Sequence, residues 1–120
     1  MPPVIVTEFI EEPPFQLAFA RLARLGPLMD TALRAHIESM KVELIEHRAQ
    51  PPGAVPHPHG DGSRILVRSG LRLRYFVTKP RRQSWLTRAA RRLRGDSSIM
   101  RVRVRLHGLD WPGVERLAGS

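Results

Sequence analysis

Arginine alternates with apolar residues in two stretches of the chain, Arg72-Leu73-Arg74 and Arg101-Val102-Arg103-Val104-Arg105. In a β-strand every second side chain shares a face, so such alternation lines up guanidinium groups on one surface. Guanidinium binds phosphate through a planar fork, often with two parallel bonds, and stabilises charge on a phosphorus undergoing transfer. Cutting RNA without a metal further needs a group to activate the 2′-hydroxyl and a group to protonate the leaving oxygen. Few residues could serve. His107 follows the second stretch with Asp110 close behind it, Tyr75 is the one tyrosine and follows the first stretch, and Phe76 offers a ring on which a base could stack. Imidazole titrates near neutrality, which favours His107, whereas a phenol needs a strong local field to act as a base. Tyr75 and His107 are therefore the acid/base candidates, and Lys79 and Arg81 lie just past the first stretch, where they could share the phosphate. Two plain alternatives stand beside this. Tyr75 has the same parity as Leu71 and Leu73, as a core residue would, and a strand-end histidine such as His107 can simply hydrogen-bond backbone.

Other chemistries find less support. There is no glycine-rich phosphate loop of the GxxxxGKS type and no carboxylate cluster for magnesium, so neither ATP-driven nor two-metal chemistry is expected. His57 and His59 are separated by a proline in a turn-rich stretch with the lone carboxylate of Asp61 beyond, a poor ligand set; no metal and no cofactor are expected. His36 and His47 lie near the edge of a helical apolar stripe without a third ligand at helical spacing, and read as structural or surface residues.

The formal charge of +9 is unevenly placed. Residues 1–60 carry five Lys/Arg against seven Asp/Glu, and residues 61–120 carry fifteen against four. A one-sided field is aimed at something: a nucleic acid first, an acidic protein next, and the same surface can meet both at different times. The chain has no cysteine, which removes thiolate chemistry and fits a reducing compartment such as the cytoplasm. No apolar run has membrane-spanning length and the start MPPVIVTEF is unlike a secretory signal, so no membrane association is expected.

The elements that must position these residues follow from period and punctuation. Val4–Ile10 is a β-branched strand, stopped by Pro13-Pro14. Phe15, Phe19, Leu22 and Leu25 set a helix ended by Gly26-Pro27, and Leu33, Ile37, Met40 and Leu44 set a second from Leu28 to Arg48, the two forming an antiparallel hairpin. Residues 49–63 are a Pro/Gly/His loop. Strands follow at 64–68, after a Ser69-Gly70 turn at 71–77, and at 99–106, with Met100, Val102, Val104 and Leu106 inward. Between the last two, residues 81–94 regain helical spacing, with Trp85, Leu86, Ala89, Ala90 and Leu93 on one face and Arg88, Arg91 and Arg92 on another. The tail DWPGVERLAGS reads as turns. One domain results, of class α+β: a small, mostly antiparallel sheet, the helical hairpin on one face, and a basic helical insertion over 79–98 before the last strand. Its other face gathers Arg72, Arg74, Arg101, Arg103 and Arg105, provided that no strand slips by a residue. Arg74, Lys79, Arg81, Arg82, Arg88, Arg91, Arg92, Arg101, Arg103 and Arg105 are the expected nucleic-acid contacts.

Three stretches resemble the RelE/ParE superfamily of toxins from bacterial toxin–antitoxin pairs. GDGSRILVRSGLRLRYFV resembles that family's central hairpin with its Arg-x-x-Tyr pattern, here Arg72 to Tyr75. VRVRLHGLDWP is similar to its last strand with a His-Gly-x-x-Asp ending, here His107, Gly108 and Asp110, and the first strand with two helices ending in Pro51-Pro52-Gly53 matches more loosely. The resemblance implies a small toxin held inactive by an acidic antitoxin. RelE-like members cleave mRNA on the ribosome, which would give Arg72 the phosphate and His107 or Tyr75 the acid/base roles; ParE-like members poison DNA gyrase instead. The chain departs from the family in the twenty residues Lys79 to Ser98 that part its last two strands. LVRSG followed by arginines is also similar to small phage head-to-tail connection proteins, which would imply a ring-forming structural role with no active site. The toxin would be a monomer or small oligomer.

Overall fold

The computed structural model describes residues 4–78 and 99–118. The chain is α+β: β1 (Val4–Glu11), α1 (Pro13–Ala23), α2 (Pro27–Glu46), β2 (Val55–Pro56), β3 (Arg64–Arg68), β4 (Leu71–Thr78), β5 (Ile99–Asp110) and α3 (Pro112–Ala118). The expected insertion at 79–98, with Lys79, Arg81, Arg82, Arg88, Arg91 and Arg92, lies outside the described residues, as does the side chain of Met100.

The strands form one sheet in the order β1-β5-β4-β3-β2. Three of its pairings are antiparallel and β1 runs parallel to β5, so the sheet is mixed, because two helices intervene before the chain returns to it. β2 is a two-residue pairing inside the stretch read as loop; Pro56 is tolerated there because the strand is the outermost one. The tail is helical, not turns: Pro112 opens α3, and Arg21 of α1 meets Glu115 of α3 at 2.7 Å.

Local chemistry explains the corners. Pro13 and Pro14 occupy the first positions of α1, where a missing N–H costs nothing. Gly26, at φ 151° and ψ 163°, takes a backbone shape closed to other residues and lets α2 start at Pro27. Ser69 (φ 52°) and Gly70 (φ 78°) make a two-residue turn with both φ values positive, the type whose twist suits a hairpin. Trp111 fastens that turn, its indole N–H donating to the Ser69 carbonyl at 3.1 Å while its ring meets His36 of α2 edge-on.

The expected α2 stripe of Leu33, Ile37, Met40 and Leu44 is buried, and it joins Phe15 and Leu22 of α1 over the inner face of the sheet. That face supplies Leu66, Leu71, Leu73, Tyr75, Val104, Leu106 and Leu109. Each such side chain contributes roughly 1.5–3 kcal/mol when fully buried, several times the worth of a surface ion pair. α2 ends on two left-handed residues, Arg48 (φ 52°) and Ala49 (φ 64°), with the Ala49 N–H closing onto Leu44 O at 2.7 Å. Tyr75 holds this strained end in place: its hydroxyl donates to the Ala49 carbonyl at 3.0 Å. Among the described residues no helix is long and apolar enough to cross a membrane.

Replacing Tyr75 by Phe should lower unfolding free energy by about 1–2 kcal/mol, since the buried Ala49 carbonyl loses its donor. Urea unfolding followed by circular dichroism measures this, and no loss of stability would refute the assignment.

Candidate functional site

Alternation sets the open face of the sheet. On β4, Arg72, Arg74 and Phe76 face away from Leu71, Leu73 and Tyr75, which are buried. Register then places Phe76 opposite Arg105, Arg74 opposite Gly108 and Arg72 opposite Asp110. Between Arg74 and Tyr75 the partner on β5 jumps from Gly108 to Leu106, so His107 is an extra, unpaired residue, a β-bulge. The bulge keeps Leu106 and Leu109, three apart, both in the core. It also lets β5 run on to Asp110, beyond the expected end at Leu106.

His107 sits where β1 ends. Its Nδ1 is 3.2 Å from Glu12 Oε1, and its ring meets the edge of Phe76 at 5.3 Å and 87°. The Arg105 guanidinium lies over Phe76 at 4.6 Å and that of Arg74 at 5.9 Å. Phe76 is therefore capped by cations instead of bare, which revises its expected use as a stacking platform. An imidazole, two guanidinium groups and a carboxylate thus meet around one aromatic ring.

The candidate catalytic set is divided. Tyr75 is fully buried on the other face, its hydroxyl is spent on Ala49, and burial pushes its phenol further above the ordinary value of 10.0, with Arg64 opposing weakly. An acid/base role for Tyr75 is corrected on this ground: it lies three positions along the strand from Arg72, and an odd spacing puts two side chains on opposite faces. Arg72 is on the open face but lies two residues, about 7 Å, farther from the bulge than Arg74. Arg105, which shares Glu12 with His107, and Arg74, whose guanidinium lies over the same Phe76 ring, are the arginines of this cluster.

Arg101, Arg103 and Arg105 project from the same face, but none of the five arginines of this face stands alone. Glu8 of β1 takes Arg101 at 3.8 Å and Arg103 at 3.4 Å, Glu12 takes Arg105 at 3.3 Å, Asp110 takes Arg72 at 3.6 Å, and Asp61 takes Arg74. Five arginines against four carboxylates leave this face nearly neutral. Exposed pairs of this kind are worth about 0–1 kcal/mol, so a phosphate can displace them. Of the chain's +9, the segment 79–98 alone holds seven Lys/Arg and one Asp. The basic field therefore belongs mostly to that segment, and only secondarily to the sheet.

Asp61 is the firmest of these carboxylates. The Ser63 hydroxyl, the Ser63 N–H at 2.9 Å and Arg74 all donate to it and hold it well below the usual carboxylate range. Arg74 in turn donates to Ser63 Oγ at 3.1 Å. Beside this turn His57 is pushed below its ordinary value, by desolvation first and then by Arg74. The Asp-x-Ser spacing is a turn signal legible in the sequence, whereas the parts played by Glu8 and Glu12 depend on β1 lying beside β5, which no local pattern announces.

No known family model, curated protein or solved structure matches the chain.

A depressed carboxyl in the folded state gives stability that is complete above the ordinary Asp value of 3.8 and lost only as pH falls through the lower folded value. The Asp61 carboxyl carbon, followed by NMR, should accordingly titrate well below 3.8, and Ser63→Ala should move its midpoint upward. A midpoint at the ordinary value would refute the turn's geometry.

Proposed function

We propose that the protein is the toxin of a toxin–antitoxin pair, a RelE-like, metal-independent endoribonuclease acting on mRNA at the ribosome and neutralised by an acidic antitoxin. One observation carries this reading: His107 stands at a bulge against Phe76, the ring over which the Arg74 and Arg105 guanidinium groups lie. The order of one strand, two helices and a returning sheet is also what the sequence resemblance implies, with the two helices as a hairpin over one sheet face. In the proposed reaction Arg74 and Arg105 hold the scissile phosphate, with Arg72 farther along the backbone. His107 takes the proton of the 2′-hydroxyl, the 2′-oxygen bonds to phosphorus, and the bond to the 5′-oxygen breaks. The imidazolium then gives its proton to that oxygen, leaving a 2′,3′-cyclic phosphate and a 5′-hydroxyl. The segment 79–98, with Lys79, Arg81, Arg82, Arg88, Arg91 and Arg92, supplies the long-range attraction for RNA.

A second reading, ParE-like inhibition of gyrase without cleavage, draws support from two observations: Tyr75 is buried and the sheet arginines are locally neutralised.

Induced alone in bacteria, the protein should arrest growth, and the purified protein should cleave RNA equally well with and without EDTA. His107→Ala should slow cleavage by about 10²–10⁴-fold, and Arg74→Ala should cost more than Arg72→Ala. Loss of cleavage on chelation would sink the mechanism, and arrest undiminished by His107→Ala would favour the gyrase reading.

A further inference from the structure

Glu12 sits at the N-cap of α1 but makes no side-chain cap. The next two residues bear on this: Pro13 and Pro14 have no N–H to offer, so of the usual capping donors at the second and third helical positions only the Phe15 N–H remains. Its backbone is pinned as well. The Glu12 N–H donates to Leu106 O at 3.0 Å, its carbonyl accepts from Gln16 N at 3.0 Å, and a residue before proline is confined to the extended region that it occupies (φ −78°, ψ 156°). The side chain turns outward over the end of β5, where Oε2 takes Arg105 Nη1 at 3.3 Å and Oε1 meets His107 Nδ1 at 3.2 Å.

We propose that Glu12 is the positioning residue for His107: its carboxylate selects the tautomer with hydrogen on Nδ1 and leaves Nε2 as the atom that exchanges protons with substrate. This rests on reading His107 as the acid/base. A carboxylate only accepts hydrogen bonds, so a contact at 3.2 Å from Nδ1 requires the proton on that nitrogen. An untethered histidine prefers the other tautomer, with hydrogen on Nε2, in which the outward nitrogen cannot act as a base. Among the described residues the ring is held by Glu12 from the start of α1 and by Phe76 of β4 in a T-shaped contact, with Arg105 of β5 on the second Glu12 oxygen and Arg74 over Phe76. His107 nevertheless stays one-third exposed, which leaves room for a substrate. In this arrangement Glu12 touches no reacting atom and acts through the ring, as the buried carboxylate of a catalytic triad orients its histidine.

Nitrogen-15 NMR of the full chain reads the tautomer directly. In the unaltered protein Nδ1 should be the protonated ring nitrogen, and Glu12→Ala should switch the ring to the Nε2–H form with cleavage slowed about 10- to 100-fold. Arg105→Ala, which removes the other partner of Glu12, should leave the tautomer unchanged. Glu12→Gln keeps an acceptor oxygen at the same reach and should restore the Nδ1–H form and most of the rate. This variant keeps the proposal testable if Glu12→Ala fails to fold. A ring already in the Nε2–H form, or a tautomer indifferent to Glu12, would overturn the proposal even if cleavage is observed. A tautomer switch in a protein that cleaves no RNA would overturn the ribonuclease reading and leave the role of Glu12 in place.

Discussion

The phase change in β5 governs both faces of the sheet. Its apolar residues keep even parity through Leu106 and then turn odd at Leu109, so one residue has to leave the ladder for both to stay buried. That residue is His107. The bulge preserves the core on one side, and on the other it swings an imidazole beyond the strand, to the point where β1 gives way to α1. A strand without the bulge would bury Asp110 or expose Leu109, and His107 would lose both Glu12 and Phe76.

Closing the sheet with β1 beside β5 has an electrostatic result. The first half of the chain is acidic and the second strongly basic, yet Glu8 and Glu12 of the first half lie among Arg101, Arg103 and Arg105 of the second. Linear charge segregation is therefore undone in three dimensions over the sheet. What remains is a nearly balanced face with one organised cluster on it, while most of the net charge belongs by sequence to residues 79–98.

Much of this was legible in the sequence. Helical spacing found the buried stripe of α2, and period-two alternation found β3, β4 and the arginine face, because those signals are local. The end of β5 was missed for a definite reason: a bulge breaks the period by which a strand is recognised, and the break fell at the residue of greatest interest. Tyr75 stands among the acid/base candidates as the one tyrosine beside the Arg72-Leu73-Arg74 stretch, although alternation by itself already puts it opposite Arg72. α3 was overlooked because Trp111-Pro112-Gly113 reads as a turn, while that same proline starts a short helix. Glu12 could not be found from local pattern, since its partners lie 93 and 95 residues away.

That separation governs when the molecule can become itself. β1 is made first, yet its partner is the last strand of the sheet, so Val4–Glu11 has no place to pair until Ile99–Asp110 has been synthesised. Parallel pairings between distant segments are slow to form, because the whole intervening chain must be closed into a loop before any contact repays it. During synthesis the β-branched first strand waits with unpaired backbone while the helices and the β3–β4 hairpin assemble from local contacts. The cluster of Glu12 with Arg105 and His107 thus cannot form before β5 has been made, and a nascent or truncated chain lacking β5 carries no site.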